Sequence, residues 1–246
     1  MTTPPATTTI DLRRALKPRD AWWTVLVVDP VAVPILSVLV RIPWVTPILL
    51  TLSGACLGLG GVAAFFTGHL LLGAVLFEAR FVLDCLDGKL ARVLGISSPR
   101  GALIDLAADV VLISASILAL GWHLAGGSDG GGPIPIGLSG GTAFVGMVLY
   151  WLILYDIDRP QLRVGTAAPR SQTATRTATV DEWLRRHRLE RLPRTIEVET
   201  LLLFLAPLTG NETILRVSFY LTLAYFAIAS VNLMARLIRT SPKSGP

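Results

Sequence analysis

The feature that most constrains this chain is a series of apolar segments, each long enough to cross a lipid bilayer. A transmembrane helix needs about 20 mostly apolar residues. One apolar run, Val198–Leu208, is shorter than this and reaches the required length only if its flanking residues are included. The sequence therefore predicts an all-α integral membrane protein with about six transmembrane helices. The clear spans are Thr46–Thr67, His69–Arg92, Gly101–Leu124, Ile134–Tyr155 and Val217–Ile238.

The composition supports this class. Of the 246 residues, 52% are hydrophobic and only 16% are charged, whereas soluble domains average about 25% charged residues. These values exclude a disordered chain and argue against an ordinary soluble domain. The two cysteines, Cys56 and Cys85, lie in apolar segments. Neither a disulfide framework nor a CxxC metal site is therefore indicated.

The segment before the first clear span is expected to lie at the membrane surface. Ala21–Ile42 is apolar, but Pro30 and Pro34 disfavour a straight spanning helix. We expect a juxtamembrane helix with Trp22 and Trp23 at the level of the lipid headgroups. No cleavable signal peptide is expected. The expected organisation is a flexible cytosolic tail (1–20), a membrane domain (21–240) and a second tail (241–246).

The basic residues set the expected orientation. The chain has 22 Lys and Arg against 17 Asp and Glu, a net charge of +5. Arginines concentrate in the loop 158–195, whereas the loops 126–133 and 209–212 contain no Lys or Arg. The positive-inside rule places the N-terminus and the Arg-rich loop on the cytoplasmic side of the cytoplasmic membrane. The charge then reflects topology and lipid contact, and no nucleic-acid binding is expected. Within the loop, Asp181–Arg194 is expected to form an amphipathic helix.

Acidic residues inside the predicted spans are the strongest functional signal. A carboxylate at membrane depth costs at least about 2.5–3.5 kcal/mol on insertion scales, so it persists only when paired, metal-bound or hydrated. Residues three or four apart are neighbours on a helix, so two carboxylates from each of two helices can converge. The acids concerned are Glu78, Asp84, Asp87, Asp105 and Asp109, of which the last four have this spacing.

The four converging carboxylates need positive charge. No Lys or His lies on their two helical faces, and Arg92 is expected to supply one positive charge. One or two divalent cations would balance the set, and Mg²⁺ or Mn²⁺ suits such oxygen ligands. A protonated cluster or an internal salt-bridge network is the alternative. Gly88, Ala91 and Gly101 leave room for a ligand on the same faces, although helix packing alone also explains small residues.

The link between the two acidic helices predicts a helix stop and restart. Gly95 suits a C-terminal cap, Ser98 an N-terminal cap and Pro99 the first helical position. A helix N-terminus also presents free N–H groups to an anion. Ser98 is therefore a candidate both for capping and for ligand contact. Arg92, at the end of the preceding helix, is placed to bind phosphate.

Residues 84–109 carry a specific resemblance. They read Asp-x2-Asp-Gly-x2-Ala-Arg-x8-Gly-x3-Asp-x3-Asp. This string resembles the signature of the CDP-alcohol phosphotransferase (CDP-alcohol phosphatidyltransferase) family at all eight fixed positions. The six-span plan extends the resemblance from about Thr46 to Ile238. It implies a membrane enzyme of phospholipid biosynthesis, usually a homodimer, which transfers a substituted phosphate from a CDP-linked alcohol to an acceptor alcohol and releases CMP.

The resemblance also implies roles for individual residues. Asp109 would be the general base, close to or on a metal, and two Mg²⁺ or Mn²⁺ ions are expected. One departure concerns the family pattern Thr-Pro-Asn-x-x-Thr, which here reads Thr46-Pro47-Ile48-Leu49-Leu50-Thr51 and lacks the Asn. The metal ligands would be Asp84, Asp87 and Asp105, with Asp109, and the CDP contacts would be Gly88, Ala91, Arg92, Ser98, Gly101 and Thr51.

The substrates are left open by the sequence. CDP-diacylglycerol is the expected donor because most family members use it, and a polar donor such as CDP-inositol is the alternative. Arg159, Arg191 and Arg194 are candidates for binding an acceptor phosphate, although topology alone explains them. Two other function classes fit the acids less well. An intramembrane prenyl transferase also uses Asp-x-x-Asp with Mg²⁺, and a cation transporter would use the carboxylates as a transit site.

Overall fold

The chain is helical throughout the part that is described. The structure, a computed structural model, describes residues 12–97, 99–126, 135–158, 175–192 and 194–240. Within these ranges β-pairing is limited to one bridge, between Asp20 and Leu189. The predicted all-α class is confirmed. The predicted terminal tails fall mostly outside the described residues.

The helices of the described part are numbered in chain order. A 3₁₀ turn, Leu12–Ala15, precedes α1, whose first residues, Thr24–Val28, form a π-helical turn. The seventh helix, α7, is continuous but irregular: Thr195–Thr200 is α-helical, Leu201–Leu205 is π-helical and Ala206–Thr209 is α-helical again. The others are α1 (Thr24–Leu39), α2 (Pro47–Phe66), α3 (Leu70–Leu94), α4 (Pro99–Leu124), α5 (Ile136–Asp158), α6 (Thr175–Arg186) and α8 (Glu212–Thr240).

Four stretches in the described part are long and apolar enough to cross a membrane. They lie in α2, α4, α5 and α8, at Pro47–Phe66, Asp105–Leu124, Ile136–Ile153 and Glu212–Arg239. Their outer faces expose large side chains such as Leu59, Val111, Trp151 and Val231, as contact with lipid requires. α3 has 25 residues but carries many charged side chains, and α1 and α7 are shorter. The count of six spans stays a prediction.

Two apolar clusters hold the helices together around α3 and α4. The larger contains the fully buried Phe65, Leu120, Leu203, Phe219 and Phe226, and joins α2, α4, α7 and α8. The smaller packs the N-terminal segment (residues 12–23) and α1 against α2 and α3. The side chains involved include Leu36, Leu50, Leu86 and Leu90. The acidic faces of α3 and α4 are thereby fixed next to α2.

The α3–α4 link has the predicted form. Gly95 adopts the left-handed conformation with φ of 69° and ends α3. Its N–H donates to the Arg92 carbonyl at 3.3 Å. α4 begins at Pro99, so the helix stop and restart is confirmed. Ser98 lies outside the described residues.

The predicted helix Asp181–Arg194 is wrong in its bounds. α6 ends at Arg186, and Arg188 adopts φ of 62°, which turns the chain away from the helix axis. The following residues run beside the N-terminal segment: the Asp20 N–H donates to the Arg188 carbonyl at 2.8 Å, and the Glu190 N–H donates to the Asp20 carbonyl at 3.1 Å. These long-range backbone bonds replace the helical ones expected beyond Arg186.

Candidate active site

α3 and α4 bring three of the predicted acids together. One carboxylate oxygen from each of Asp84, Asp87 and Asp105 lies within 4.8 Å of the others. The carboxylates are buried or half-buried. Oxygen donors gathered in this way fit a hard divalent cation, which takes carboxylate ligands. The three residues could therefore hold a metal ion, and we refer to them as the aspartate cluster.

Thr51 of α2 orients one member of the cluster. Its hydroxyl donates to the Asp87 carboxylate and lies 3.0 Å from the Pro47 carbonyl. The Thr46 side chain, at the helix N-cap, accepts the Leu49 N–H at 3.2 Å and fixes the start of α2. A hydrogen bond to a metal-binding carboxylate fixes its orientation. The structure thus places Thr51, expected as a CDP contact, against a candidate metal ligand.

Asp109 is paired with a residue that the sequence analysis overlooked. The Arg80 guanidinium forms a salt bridge with the Asp109 carboxylate, and the two side chains are 5% and 22% exposed. The sequence analysis expected one positive charge, from Arg92, and missed this second one, which lies one helical turn before Asp84. The signal was the spacing of four residues, which puts Arg80 and Asp84 on one face.

Small residues of α2 make room for this arginine. A β-carbon at Gly58 would lie 3.0 Å from the Arg80 Cδ atom, and one at Gly54 would lie 3.7 Å from the Arg80 carbonyl oxygen. The close approach of the two helices encloses the guanidinium. Arg80 and Asp109 consequently form an ion pair next to the aspartate cluster. Each lies one helical turn from a member of the cluster, Arg80 from Asp84 and Asp109 from Asp105.

A cavity of about 230 Å³ opens beside the aspartate cluster. Its walls come from the N-terminal segment, α1, α3, α4, α5 and α7. Asp84, Asp105 and the Arg80–Asp109 pair face it together. The remaining lining residues are Lys17, Asp20, Thr24, Phe77, Phe81, Cys85, Gly88, Lys89, Arg92, Ile113, Tyr150, Ile196, Glu199 and Thr200.

Two of the residues expected to contact CDP line this cavity. Gly88 and Arg92 line it, and a β-carbon at Gly88 would lie 3.4 Å from an Arg92 nitrogen. The Arg92 guanidinium donates twice to the Ala15 carbonyl, at 3.0 and 2.8 Å. Ala91 is half-buried next to Arg92, and Gly101 lies in the first turn of α4. These roles remain predictions.

A buried ion network supports the same end of the cavity and was not anticipated. The Lys89 ammonium group lies 3.0 Å from the Asp29 carboxylate, and both side chains are almost fully buried. The Arg188 guanidinium reaches the same carboxylate at 2.9 Å. This network ties α3 to α1 and to the turn after α6. No spacing in the sequence joins residues so far apart.

Two of the three arginines expected to bind an acceptor phosphate pair with acids outside the cavity lining. Arg191 donates to Asp181 at 2.8 Å, and Arg194 donates to Glu190 at 2.6 Å. The bonds from Arg191 and then from Arg19 hold the pKa of Asp181 below its usual range, and Asp181 in turn raises the pKa of Arg191. Neither arginine lines the cavity. Arg159 lies outside the described residues, so the three assignments stay predictions.

A helical membrane protein with an aspartate cluster at a polar cavity is the class that the fold and the site define. Residues 44–226 match the family model described as CDP-alcohol phosphatidyltransferase. The chain belongs to the CDP-alcohol phosphatidyltransferase family, a family of enzymes that transfer substituted phosphate groups.

Two known proteins are similar to the chain. Over 81 residues it is 42% identical to a bifunctional IPC transferase and DIPP synthase of Rubrobacter xylanophilus, a match to 31% of this chain and 18% of the relative. The chain thus spans less than a fifth of that protein. Its fold resembles a crystal structure of Mycobacterium tuberculosis phosphatidylinositol phosphate synthase with CDP-DAG bound, with a TM-score of 0.56 and 18% identity over 89% of this chain and 98% of the other.

Proposed function

We propose that the chain catalyses a metal-dependent transfer of a phosphatidyl group from CDP-diacylglycerol to an acceptor alcohol, with release of CMP. The observation that carries this proposal is the aspartate cluster, whose three carboxylate oxygens lie within 4.8 Å of one another. The cluster borders a cavity that also contains Arg80, Asp109 and Arg92. Acids and phosphate-binding arginines at one cavity suit a reaction between a diphosphate and a hydroxyl.

The aspartate cluster would hold Mg²⁺ or Mn²⁺. Such an ion neutralises the diphosphate and stabilises charge on the transferred phosphoryl group. Asp84, Asp87 and Asp105 supply the oxygen donors, and Thr51 keeps Asp87 in place. Two ions are the family expectation. A second ion that used Asp109 would have to draw this carboxylate away from Arg80, since the two are paired in the structure.

Asp109 is the proposed general base. Its carboxylate is the more exposed member of the Arg80 pair and faces the cavity, so an acceptor hydroxyl can reach it. The carboxylate accepts the hydroxyl proton as the acceptor oxygen attacks phosphorus. Arg80 holds Asp109 in position for this step. Gly88 leaves space for the donor, and Arg92 binds its phosphates.

The relatives support CDP-diacylglycerol as the donor without excluding another. The solved structure that shares this fold contains CDP-DAG. The Rubrobacter xylanophilus protein is more similar in sequence, over a shorter stretch, and is named a bifunctional IPC transferase and DIPP synthase. A polar donor such as CDP-inositol is therefore the second candidate. A prenyl transferase or a cation transporter gains no support from family membership.

We further propose that the protein works in the cytoplasmic membrane with its site open to the cytoplasm, and that it is a homodimer, as members of the family usually are. The basis for the orientation is the Arg-rich loop, whose described part packs against the N-terminal segment through Arg188 and Asp20. The end of α3 that carries Arg92 lies beside the same segment. By the positive-inside rule this side is cytoplasmic, where CDP-linked substrates and CMP are found.

The test is a donor panel with purified protein in liposomes. CDP-diacylglycerol and CDP-inositol are each supplied with a mixture of alcohols and Mg²⁺ or Mn²⁺, and CMP and product mass are measured. We expect CMP and a phosphatidyl product from CDP-diacylglycerol only when a divalent ion is present. Transfer from CDP-inositol alone would establish the alternative donor. Movement of Mn²⁺ across the liposomes without CMP release would support a transporter instead.

A further inference from the structure

Part of the cavity lining outside the aspartate cluster is built from side chains to which the proposed reaction assigns no role. It consists of Thr24 from α1, Tyr150 from α5, and Glu199 and Thr200 from α7. All four are buried, with exposures of 2%, 7%, 5% and 2%. Three hydroxyl groups and one carboxylate thus face a polar cavity at a point where three helices meet. We call these four residues the hydroxyl wall.

The hydroxyl wall has unused hydrogen-bonding capacity. The Tyr150 hydroxyl donates to the Glu199 carboxylate, which fixes both side chains. The Thr24 Oγ1 atom is buried and has no hydrogen-bond partner among the described residues. A buried hydroxyl without a partner is destabilising, because it has given up its hydrogen bonds to water. The free hydroxyl and the remaining acceptor capacity of the carboxylate therefore indicate a site that a hydroxyl-bearing ligand completes.

The charge of the wall argues against a phosphate on that ligand. Glu199 is the only charged member of the wall, and Arg80, the cation whose charge reaches it, is already paired with Asp109. Among the described residues, every cation that lines the cavity already has a partner. Lys17 lies 3.9 Å from Asp20, Arg80 pairs with Asp109, and Lys89 lies 3.0 Å from Asp29. Arg92 donates to the Ala15 carbonyl, and the proposed function assigns its charge to the phosphates of the donor.

We propose that the acceptor is a neutral polyol without a phosphate group, bound by Thr24, Tyr150, Glu199 and Thr200. Neighbouring hydroxyls of a polyol donate to the two oxygens of Glu199, and Thr24 pairs with a further hydroxyl. A phosphate on the acceptor would instead be buried against the Glu199 carboxylate.

The inference deepens the proposed function and rests on it. The polyol oxygen forms a bond to the phosphorus of the donor, its proton passes to Asp109, and the bond from that phosphorus to the bridging oxygen of CMP breaks. CMP leaves with the electron pair of that bond. The hydroxyl wall takes no part in bond formation; it determines which alcohol reaches Asp109.

The test compares acceptors of matched skeleton with the purified protein in liposomes. Myo-inositol and glycerol are compared with inositol 1-phosphate and glycerol 3-phosphate, and with serine and ethanolamine, by CMP release and product mass. We expect transfer to a neutral polyol, with kcat/KM at least tenfold above that of its phosphate. Exclusive transfer to a phosphorylated polyol or to an amino alcohol overturns the inference. Absence of CMP release with every acceptor instead contradicts the proposed function.

Two variants test the residues themselves. Glu199→Gln keeps the size of the side chain and an acceptor for Tyr150, and Thr24→Val removes only the free hydroxyl. We expect each variant to raise the KM for the polyol about tenfold, with no change in the KM for the donor. Glu199→Gln should also lower the ratio of kcat/KM for the polyol to kcat/KM for its phosphate. Glu182→Gln, at an exposed position, is the control. Equal effects on donor and acceptor would show a merely structural role.

Discussion

Replacing Arg80 by Met tests the most unexpected feature of the site. The substitution removes the guanidinium while retaining much of the buried chain, and it leaves Asp109 among three other carboxylates with no cation in contact. Breaking a buried pair by removing one partner costs about 3–5 kcal/mol. Because Asp109 is 22% exposed and can be partly hydrated, we expect the lower end, about 3 kcal/mol.

A metal ion should compensate for this loss. In EDTA, with roughly 2–4 °C per kcal/mol for a chain of this size, Arg80→Met should lower the apparent Tm in detergent by about 6–12 °C. Saturating Mn²⁺ should raise the Tm of the variant more than that of the wild type, since the uncompensated carboxylates bind the cation more strongly. The gap between the two proteins should narrow accordingly.

The matched control is Arg41→Met, at an exposed position, for which we expect a change within about 0.5 kcal/mol. An Arg80→Met protein as stable as the wild type in EDTA would refute the reasoning. A gap that Mn²⁺ leaves unchanged would also do so, because it would show that the arginine does not balance the charge of the metal-binding acids.

Three further predictions concern the support of the site. Thr51→Val removes the hydrogen bond to Asp87 and should weaken Mn²⁺ binding, measured by electron paramagnetic resonance, by about 10–100-fold; unchanged affinity would contradict the orienting role. Gly95→Ala should destabilise the protein by roughly 1–2 kcal/mol, since φ is 69° and no atom lies within 4 Å of the new β-carbon; a neutral or higher Tm would count against it. Because Arg191 lowers the pKa of Asp181, the pair stabilises the protein fully above the unfolded pKa of about 3.9 and less as pH falls towards the folded pKa. The Tm difference between wild type and Asp181→Asn should therefore be constant from pH 7 to 5 and shrink below about pH 4. A difference that grows on acidification would contradict the lowered pKa of Asp181.

The sequence predicted those parts of the site that depend on helical periodicity. Asp84 and Asp87 share a face of α3, and Asp105 lies on the facing side of α4, so their convergence required only that both helices pack against α2. The stop at Gly95 and the restart at Pro99 followed from local backbone preferences. These features are set within one or two helical turns.

The remaining features depend on contacts between residues distant in sequence. Periodicity alone could have found Arg80 on the face of Asp84, but its pairing with Asp109 requires that α3 and α4 both pack against α2. The network of Asp29, Lys89 and Arg188 joins three separate elements. The early end of α6 has the same origin, since backbone bonds to Asp20 replace those of a longer helix.

The most direct test of the account is CMP release from CDP-diacylglycerol as Mn²⁺ is titrated, for the wild type and for Asp105→Asn, with folding checked by circular dichroism. Asp105 belongs to the aspartate cluster, so the account predicts metal-dependent release by the wild type and a loss of at least a hundredfold in the variant. Equal rates for the two folded proteins, or full release in EDTA, would contradict the claim that this cluster holds the metal on which the transfer depends.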